Sequence, residues 1–364
     1  VKIFVFVTLG ATLSACAYEA SFQDCDVRCA ADRGCPDGLT CGAEGLCRSS
    51  EGTTETCAGV LGTLPSCVGL AATCGPTASD DCCSTASPIP GGTFYRSYDV
   101  AADGMYSNMN YPGTVSPFVL DKYEITVGRF RTFMTAGTST QADPPLAGAG
   151  ARVLNGAPDQ GGWDATWDAE LEPDASTLVA SVKCDPTHQT WTDAPGANEN
   201  LPMNCITWYE ALAFCAWDDG FLPTETEWNF AASGGSEQRS YPWSSPAGSI
   251  AIDCSYANYN DGTYCVNSPN GGANRVGSES PEGDGAWGQA DLAGNVFEWT
   301  LDEYAATYQD PCDDCANLTA ASSVVLRGGG WDNFATDVRA DYRLDRPPAL
   351  RHRSVGVRCA RPSN

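Results

Sequence analysis

The chain has 364 residues and a formal charge of −26, from 20 Lys and Arg against 46 Asp and Glu. So acidic a chain repels phosphates and excludes a nucleic-acid partner, and a hydrophobic content of 42% excludes disorder throughout. With 38 Gly, 23 Pro and 10 Trp, the composition predicts a loop-rich globular protein of two or three domains rather than a helical bundle. His188 and His352 are the only histidines, too few for a His-based metal centre.

Residues 1–15 pair Lys2 with an apolar run from Ile3 to Leu13. That run is shorter than the roughly 20 residues a membrane span needs, and it has the length of a secretory h-region. It ends in Leu13-Ser14-Ala15-Cys16, which resembles the lipobox of bacterial lipoproteins. Cleavage after Ala15 and lipidation of Cys16 are expected, so that the acyl chains form the membrane contact. Ala17, where retained lipoproteins carry Asp, points to the outer membrane or the cell surface. The chain has 19 Cys, a density that in an exported protein reads as disulfides. Setting Cys16 aside leaves an even number, ten from Cys25 to Cys83 and eight from Cys184 to Cys359.

Residues 16–24 form a tether, and 25–88 a small disulfide-rich region. Its first cluster, Cys25 to Cys47, has almost no aliphatic core, so covalent links must replace burial. Metal binding is the rival reading, but the spacing is irregular and no His is near. Cys82 and Cys83 are adjacent and cannot easily bond each other, so each reaches back to a different partner.

The texture changes near residue 89. Phe118 to Val127 reads as a strand running into a helix onset. Residues 137–182 are rich in Gly, Ala, Pro and Asp and read as loop. Residues 201–232 are the clearest helical stretch, broken at Pro223, where Thr224 and Glu227 match a capping box. Trp208, Trp217, Trp228, Trp243, Trp299 and Trp331 read as core aromatics. Spacing favours the bridges Cys184–Cys205, Cys254–Cys265 and Cys312–Cys315, the last pinning a surface loop, which leaves Cys215 for Cys359.

Seven blocks fall in order: GGTF (91–94), LDKYEITVGRFRTF (120–133), LPMNCITWYEALAFCAWDDGFLPTETEWNFAASGG (201–235), YPW (241–243), DLAGNVFEW (291–299), LRGGGW (326–331) and VGVRCAR (355–361). Together they resemble the sulfatase-modifying-factor domain, the fold of formylglycine-generating enzyme, over about 89–362. The resemblance implies an irregular α+β domain related to C-type lectins. It also implies a Ca²⁺ site at Asp291, the Gly294 and Val296 carbonyls and Glu298, an oxygen set that suits a hard cation. A second calcium site would begin at Asn258 and Tyr259.

The family's oxidase chemistry needs two cysteines after the RGG turn, which bind Cu(I) through soft thiolates. Those positions are Asn333 and Val338 here, and Gly330 stands where active members usually have Ser. Copper is therefore not expected. The leading expectation is a surface-anchored binding or structural module for a protein or glycan ligand. An oxidoreductase acting on protein thiols through a rearranged site is the alternative.

Overall fold

The computed structural model describes residues 39–41, 47–49, 64–101, 106–266, 271–319 and 322–363. The chain divides into two compact units, Val1–Thr63 and Leu64–Asn364. In the first, β1 (Leu39–Cys41) and β2 (Cys47–Ser49) form an antiparallel hairpin that sets Cys41 opposite Cys47. The expected signal peptide, the tether and Cys16 lie outside the described residues. Among the described residues no helix is long and apolar enough to cross a membrane.

The second unit has the α+β character expected, with many short elements in irregular order. Strands β3 (Gly92–Tyr95) and β4 (Pro112–Val115) pair antiparallel, and β5 (Phe118–Leu120) pairs with the C-terminal β12 (Ala360–Pro362). Helix α1 (Val127–Ala136) starts at Thr126, whose hydroxyl accepts the Arg129 N–H, and stops at Gly137 with φ of 75°. Helices α3 (Trp208–Trp217) and α4 (Glu225–Ala232) each open on a capping box, Thr207 with Glu210 and Thr224 with Glu227. The segment read as loop holds a hairpin of β6 (Arg152–Leu154) and β7 (Ala157–Gln160), and α2 (Ala175–Ser181) capped by Asp174. These elements are too short for a periodic pattern to outweigh their Gly and Asp content.

The largest sheet runs β10 (Leu344–Arg346), β9 (Val324–Arg327), β8 (Phe297–Glu303), β11 (Val355–Gly356), with β11 parallel to β8. Strand β8 organises the unit, because side chains alternate along a strand. Phe297, Trp299 and Leu301 enter the main core with Phe130, Phe133 and Phe214 of α1 and α3. Glu298, Thr300 and Asp302 lie on the other face and are equally buried. Polar groups buried there must find partners: Glu298 finds Trp228 of α4 and Arg358, Thr300 the Val325 carbonyl of β9, and Asp302 the N–H groups of Glu225 and Asn317.

The second cysteine cluster belongs to this unit, which begins at Leu64 rather than near residue 89. Cys67 bonds Cys83 and Cys74 bonds Cys82, so the adjacent cysteines do take separate partners. The reason for the shifted boundary is docking. The Ser66 N–H donates to Asp218 at 2.8 Å, Asn200 donates to the Thr73 carbonyl at 2.9 Å, and the Tyr123 hydroxyl donates to Asp80 at 2.7 Å. Composition signals how poor in apolar residues a segment is, not which surface its backbone groups meet.

Candidate functional site

The Asp291–Glu298 turn and the Arg327–Val338 turn lie side by side. The Gly294 N–H donates to the Gly328 carbonyl and the Trp331 N–H to the Asn295 carbonyl, both at 2.8 Å. Gly294 has φ of 87°, and a Cβ there would stand 2.4 Å from the Asn258 carbonyl oxygen. Glycine alone permits that approach. The Asn258 carbonyl also accepts the Asn295 N–H at 2.8 Å, and its amide donates to Asn295 Oδ1 at 3.2 Å. The two expected calcium stretches therefore meet at Asn295. Tyr259 is buried nearby, its carbonyl accepting the Cys265 N–H.

Buried carboxylates crowd this corner. Glu124 accepts the Asn295 amide at 2.6 Å and the Val296 N–H at 3.0 Å. Burial, then the charges of Asp291 and Glu298, hold Glu124 well above the ordinary carboxyl range. Asp291 accepts the Gly277 N–H at 2.6 Å, and burial followed by the charge of Glu279 pushes it up to about 8. Glu279 is also raised, chiefly by burial, and its Oε2 has no hydrogen-bond partner among the described residues. Were a cation bound at this corner, Asp291 and the Gly294 and Val296 carbonyls would be the hard oxygen donors that hold it.

Glu298 plays another part. Arg358 Nε lies 2.8 and 2.7 Å from its two oxygens, Arg358 Nη2 lies 2.6 Å from Oε1, and the Trp228 indole N–H donates to Oε2 at 2.6 Å. These contacts occupy its lone pairs. The structure thus gives the expected fourth ligand to a buried ion pair.

The neighbouring turn is shaped by glycine. Gly328 and Gly329 follow β9 with φ of 90° and 71°, and a Cβ on Gly329 would stand 2.5 Å from Val338 Cγ1. Val338 is fully buried. Asn333 accepts the Gly330 N–H at 3.2 Å and lines a pocket of about 160 Å³. Leu326, Leu344, Leu350 and Val355 make its apolar wall, and Asp332, Arg346 and His352 its polar rim. His352 Nδ1 lies 3.0 Å from the Ser354 hydroxyl. Burial lowers the pKa of His352, against the opposing pull of Asp332.

The remaining cysteines pair as Cys184–Cys205, Cys215–Cys359, Cys254–Cys265 and Cys312–Cys315. Cys312 and Cys315 close a short loop whose Pro311 and Asp313 are exposed, while the sulfurs themselves turn inward. Both are buried, 7% and 5% exposed, against the first turn of α4. Cys254, Cys265 and Asp261 cluster, but with the two sulfurs joined they offer no thiolate to a metal. Reading the sequence alone missed Glu124, Glu279 and Arg358. Two of them stand in the recognised blocks, yet nothing local marks a residue whose partner is 60 positions away.

A fold of this kind around a crowded carboxylate corner defines a class, and the comparisons identify it. The profile of the sulfatase-modifying factor enzyme 1-like domain matches residues 74–363, and the chain belongs to that family. It is 27% identical over 295 residues to a formylglycine-generating enzyme of Streptomyces coelicolor, covering 75% of this chain and 87% of that protein. It is 28% identical over 290 residues to the inactive C-alpha-formylglycine-generating enzyme 2 of Bos taurus, covering 75% and 86%. The solved structure of PvdO from Pseudomonas aeruginosa matches with a TM-score of 0.50 at 20% identity, covering 76% of this chain and 93% of that one.

Proposed function

We propose that this chain is a lipid-anchored surface protein that presents its formylglycine-generating-enzyme-like domain as a binding or structural module, without the copper oxidase reaction. One observation carries the reading. Asn333 and Val338 occupy the positions of the family's paired cysteines. Thiolates hold Cu(I), and an amide and an isopropyl group do not replace them. That a bovine relative is named inactive supports persistence of the scaffold without the reaction.

The ligand in this reading is a protein or glycan group held at the Asn333 pocket. Its apolar wall gives area, and Asp332, Arg346 and His352 give orientation. A calcium ion at Asp291 and the Gly294 and Val296 carbonyls is structural. It would neutralise the carboxylates around it and fix the turn on which the pocket's own turn leans. Anchoring through Cys16 places the domain at the outer membrane or cell surface.

The test is direct. Purified full chain is given Cu(I), oxygen and a Cys-x-Pro-x-Arg peptide, and peptide mass is followed. No aldehyde is the expected outcome, and copper-dependent aldehyde formation overturns the reading. Membrane-extracted chain should carry an acyl mass increment on a chain starting at Cys16. A Cys16→Ser variant that stays wholly with membranes would count against the anchor.

A further inference from the structure

The Cys312–Cys315 corner is held in place without its bridge. The Thr114 N–H donates to the Cys312 carbonyl at 3.0 Å, and the Asp314 N–H returns to the Thr114 carbonyl at 2.9 Å. The Ser116 N–H and hydroxyl donate to the Asp314 carboxylate at 2.5 and 2.6 Å. The Asn155 N–H donates to the Asp314 carbonyl at 2.9 Å. The bridge spans a sequence separation of 3, against 144 for Cys215–Cys359. Loop closure that short removes little entropy from the unfolded chain. As a staple this disulfide contributes less than half of what the long bridge does.

Its surroundings fit a thiolate. Arg96 Nη1 lies 3.4 Å from Cys315 Sγ, and Arg96 is 2% exposed. The rest of that guanidinium donates to the carbonyls of Gln309 and Tyr111, not to a carboxylate. The Thr226 hydroxyl, in the first turn of α4, lies 3.5 Å from Cys315 Sγ and 3.8 Å from Cys312 Sγ. A buried cation, a hydroxyl and a helix start are the features that depress a thiol pKa. Cys315 shares with Arg96 and Asp302 a cavity of about 20 Å³. Asp302 is a carboxyl that burial, then the charge of Glu225, pushes up to about 7, so it can hold a proton beside a sulfur that titrates.

We propose that Cys312–Cys315 is a redox-active disulfide that oxidises external dithiols by thiol–disulfide exchange. A thiolate of the dithiol attacks Cys312 Sγ, the bond between the two cysteines breaks, and its electron pair leaves on Cys315. The sulfur with the lower thiol pKa is the better leaving group, and Arg96 assigns that role to Cys315. The second thiolate of the dithiol then attacks its own sulfur in the mixed disulfide and expels Cys312. The dithiol loses two electrons and two protons and becomes a disulfide. The cysteine pair gains the two electrons, one proton goes to Cys312, and the other goes to Asp302 or water. Exchange with a more oxidising disulfide reverses the step and restores the bridge.

The experiment equilibrates the full chain in graded ratios of reduced to oxidised dithiothreitol. It then blocks free thiols and measures, by peptide mass, each of the six bridges found among the described residues. The expected result is that Cys312–Cys315 opens at a ratio at least tenfold less reducing than any other bridge, with circular dichroism unchanged. In that selectively reduced protein, thiolate absorbance should show one cysteine titrating below the usual value of about 8.5. Arg96→Gln should raise that pKa and slow exchange with a Cys-x-x-Cys peptide dithiol. Thr226→Val, a smaller change that tests the same contact, should move both in the same direction to a lesser extent. Opening together with the other bridges overturns the proposal, and so does an ordinary thiol pKa that neither variant moves.

Discussion

The Asp291–Glu298 and Arg327–Val338 turns are neighbours stitched by two backbone hydrogen bonds, yet their side chains have gone different ways. The first keeps an acidic interior, with Glu124, Asp291 and Glu298 all buried. The second keeps its glycine-shaped path but carries Asn333 and Val338 where the family's chemistry requires sulfur. Backbone shape and reactive side chains are separable. This turn's path rests on positive-φ glycines and cross-turn hydrogen bonds, with no sulfur at 333 or 338. A buried carboxylate cannot be lost from its ion pair at small cost, because its partner would be stranded.

Arg358→Leu should show the largest effect. It strands Glu298, which is fully buried and keeps only the Trp228 N–H among its present donors. Breaking a buried pair from one side costs about 3–5 kcal/mol. Urea unfolding measures it, and a loss under about 1 kcal/mol would mean that Glu298 is free for other duties.

Asp302 is a control on the same face of β8, since among the described residues no guanidinium clamps it as Arg358 clamps Glu298. It accepts the Glu225 N–H at 2.6 Å and the Asn317 N–H at 2.8 Å. Burial and then the charge of Glu225 raise it from 3.8 to about 7. A raised carboxyl means that the folded state holds the proton longer. Its contribution is complete below the unfolded pKa and is lost as pH rises towards about 7. Asp302→Asn should therefore flatten the fall in stability over that window. With each pKa unit near 1.4 kcal/mol, the variant should gain on the wild type by on the order of 1 to 4 kcal/mol. Identical slopes for the two proteins would leave Asp302 without a role in the pH dependence.

A calcium ion should separate the two turns by a comparable or smaller amount. At a hundredfold excess over its dissociation constant, a ligand of the folded state stabilises by about 2.7 kcal/mol. Asp291→Asn should abolish the calcium-dependent rise in melting temperature, while Asn333→Ala should leave it intact. If chelator moves neither protein's melting point, the carboxylates at Asp291 balance their charge by holding protons.

How much of this was legible follows from the range of each interaction. The capping boxes at Thr207 and Thr224 are closed within three residues, and the second was read from spacing alone. The four bridges from Cys184 to Cys359 were legible because few cysteines share that stretch. The Glu298–Arg358 clamp and the Glu124 contacts were not, because each joins residues 60 or more positions apart that only the fold brings together. The docking of residues 64–88 stayed hidden for the same reason. It rests on the Ser66 N–H and the Thr73 carbonyl, which no sequence displays, and on side chains such as Tyr123 and Asp80 that stand 43 positions apart.

The smallest effect is the sharpest probe of the second turn. Asn333→Cys and Val338→Cys each return one sulfur to a position the family uses. Val338 is fully buried beneath Gly329, whereas Asn333 is half-buried at the pocket wall. Val338→Cys is a small apolar change and should cost less than about 1.5 kcal/mol, and Asn333→Cys gives up the bond from the Gly330 N–H at about 0.5–1.5 kcal/mol. Reactivity, in contrast, should split. A thiol at 333 should be alkylated in the native protein, and one at 338 should react only as fast as the chain opens around it. Adding urea below the unfolding midpoint should therefore accelerate alkylation at 338 and scarcely change it at 333. Equal native rates would mean that the turn breathes as a unit. The packing of Val338 under the glycines would then not be what holds the turn's path in the absence of the paired thiols.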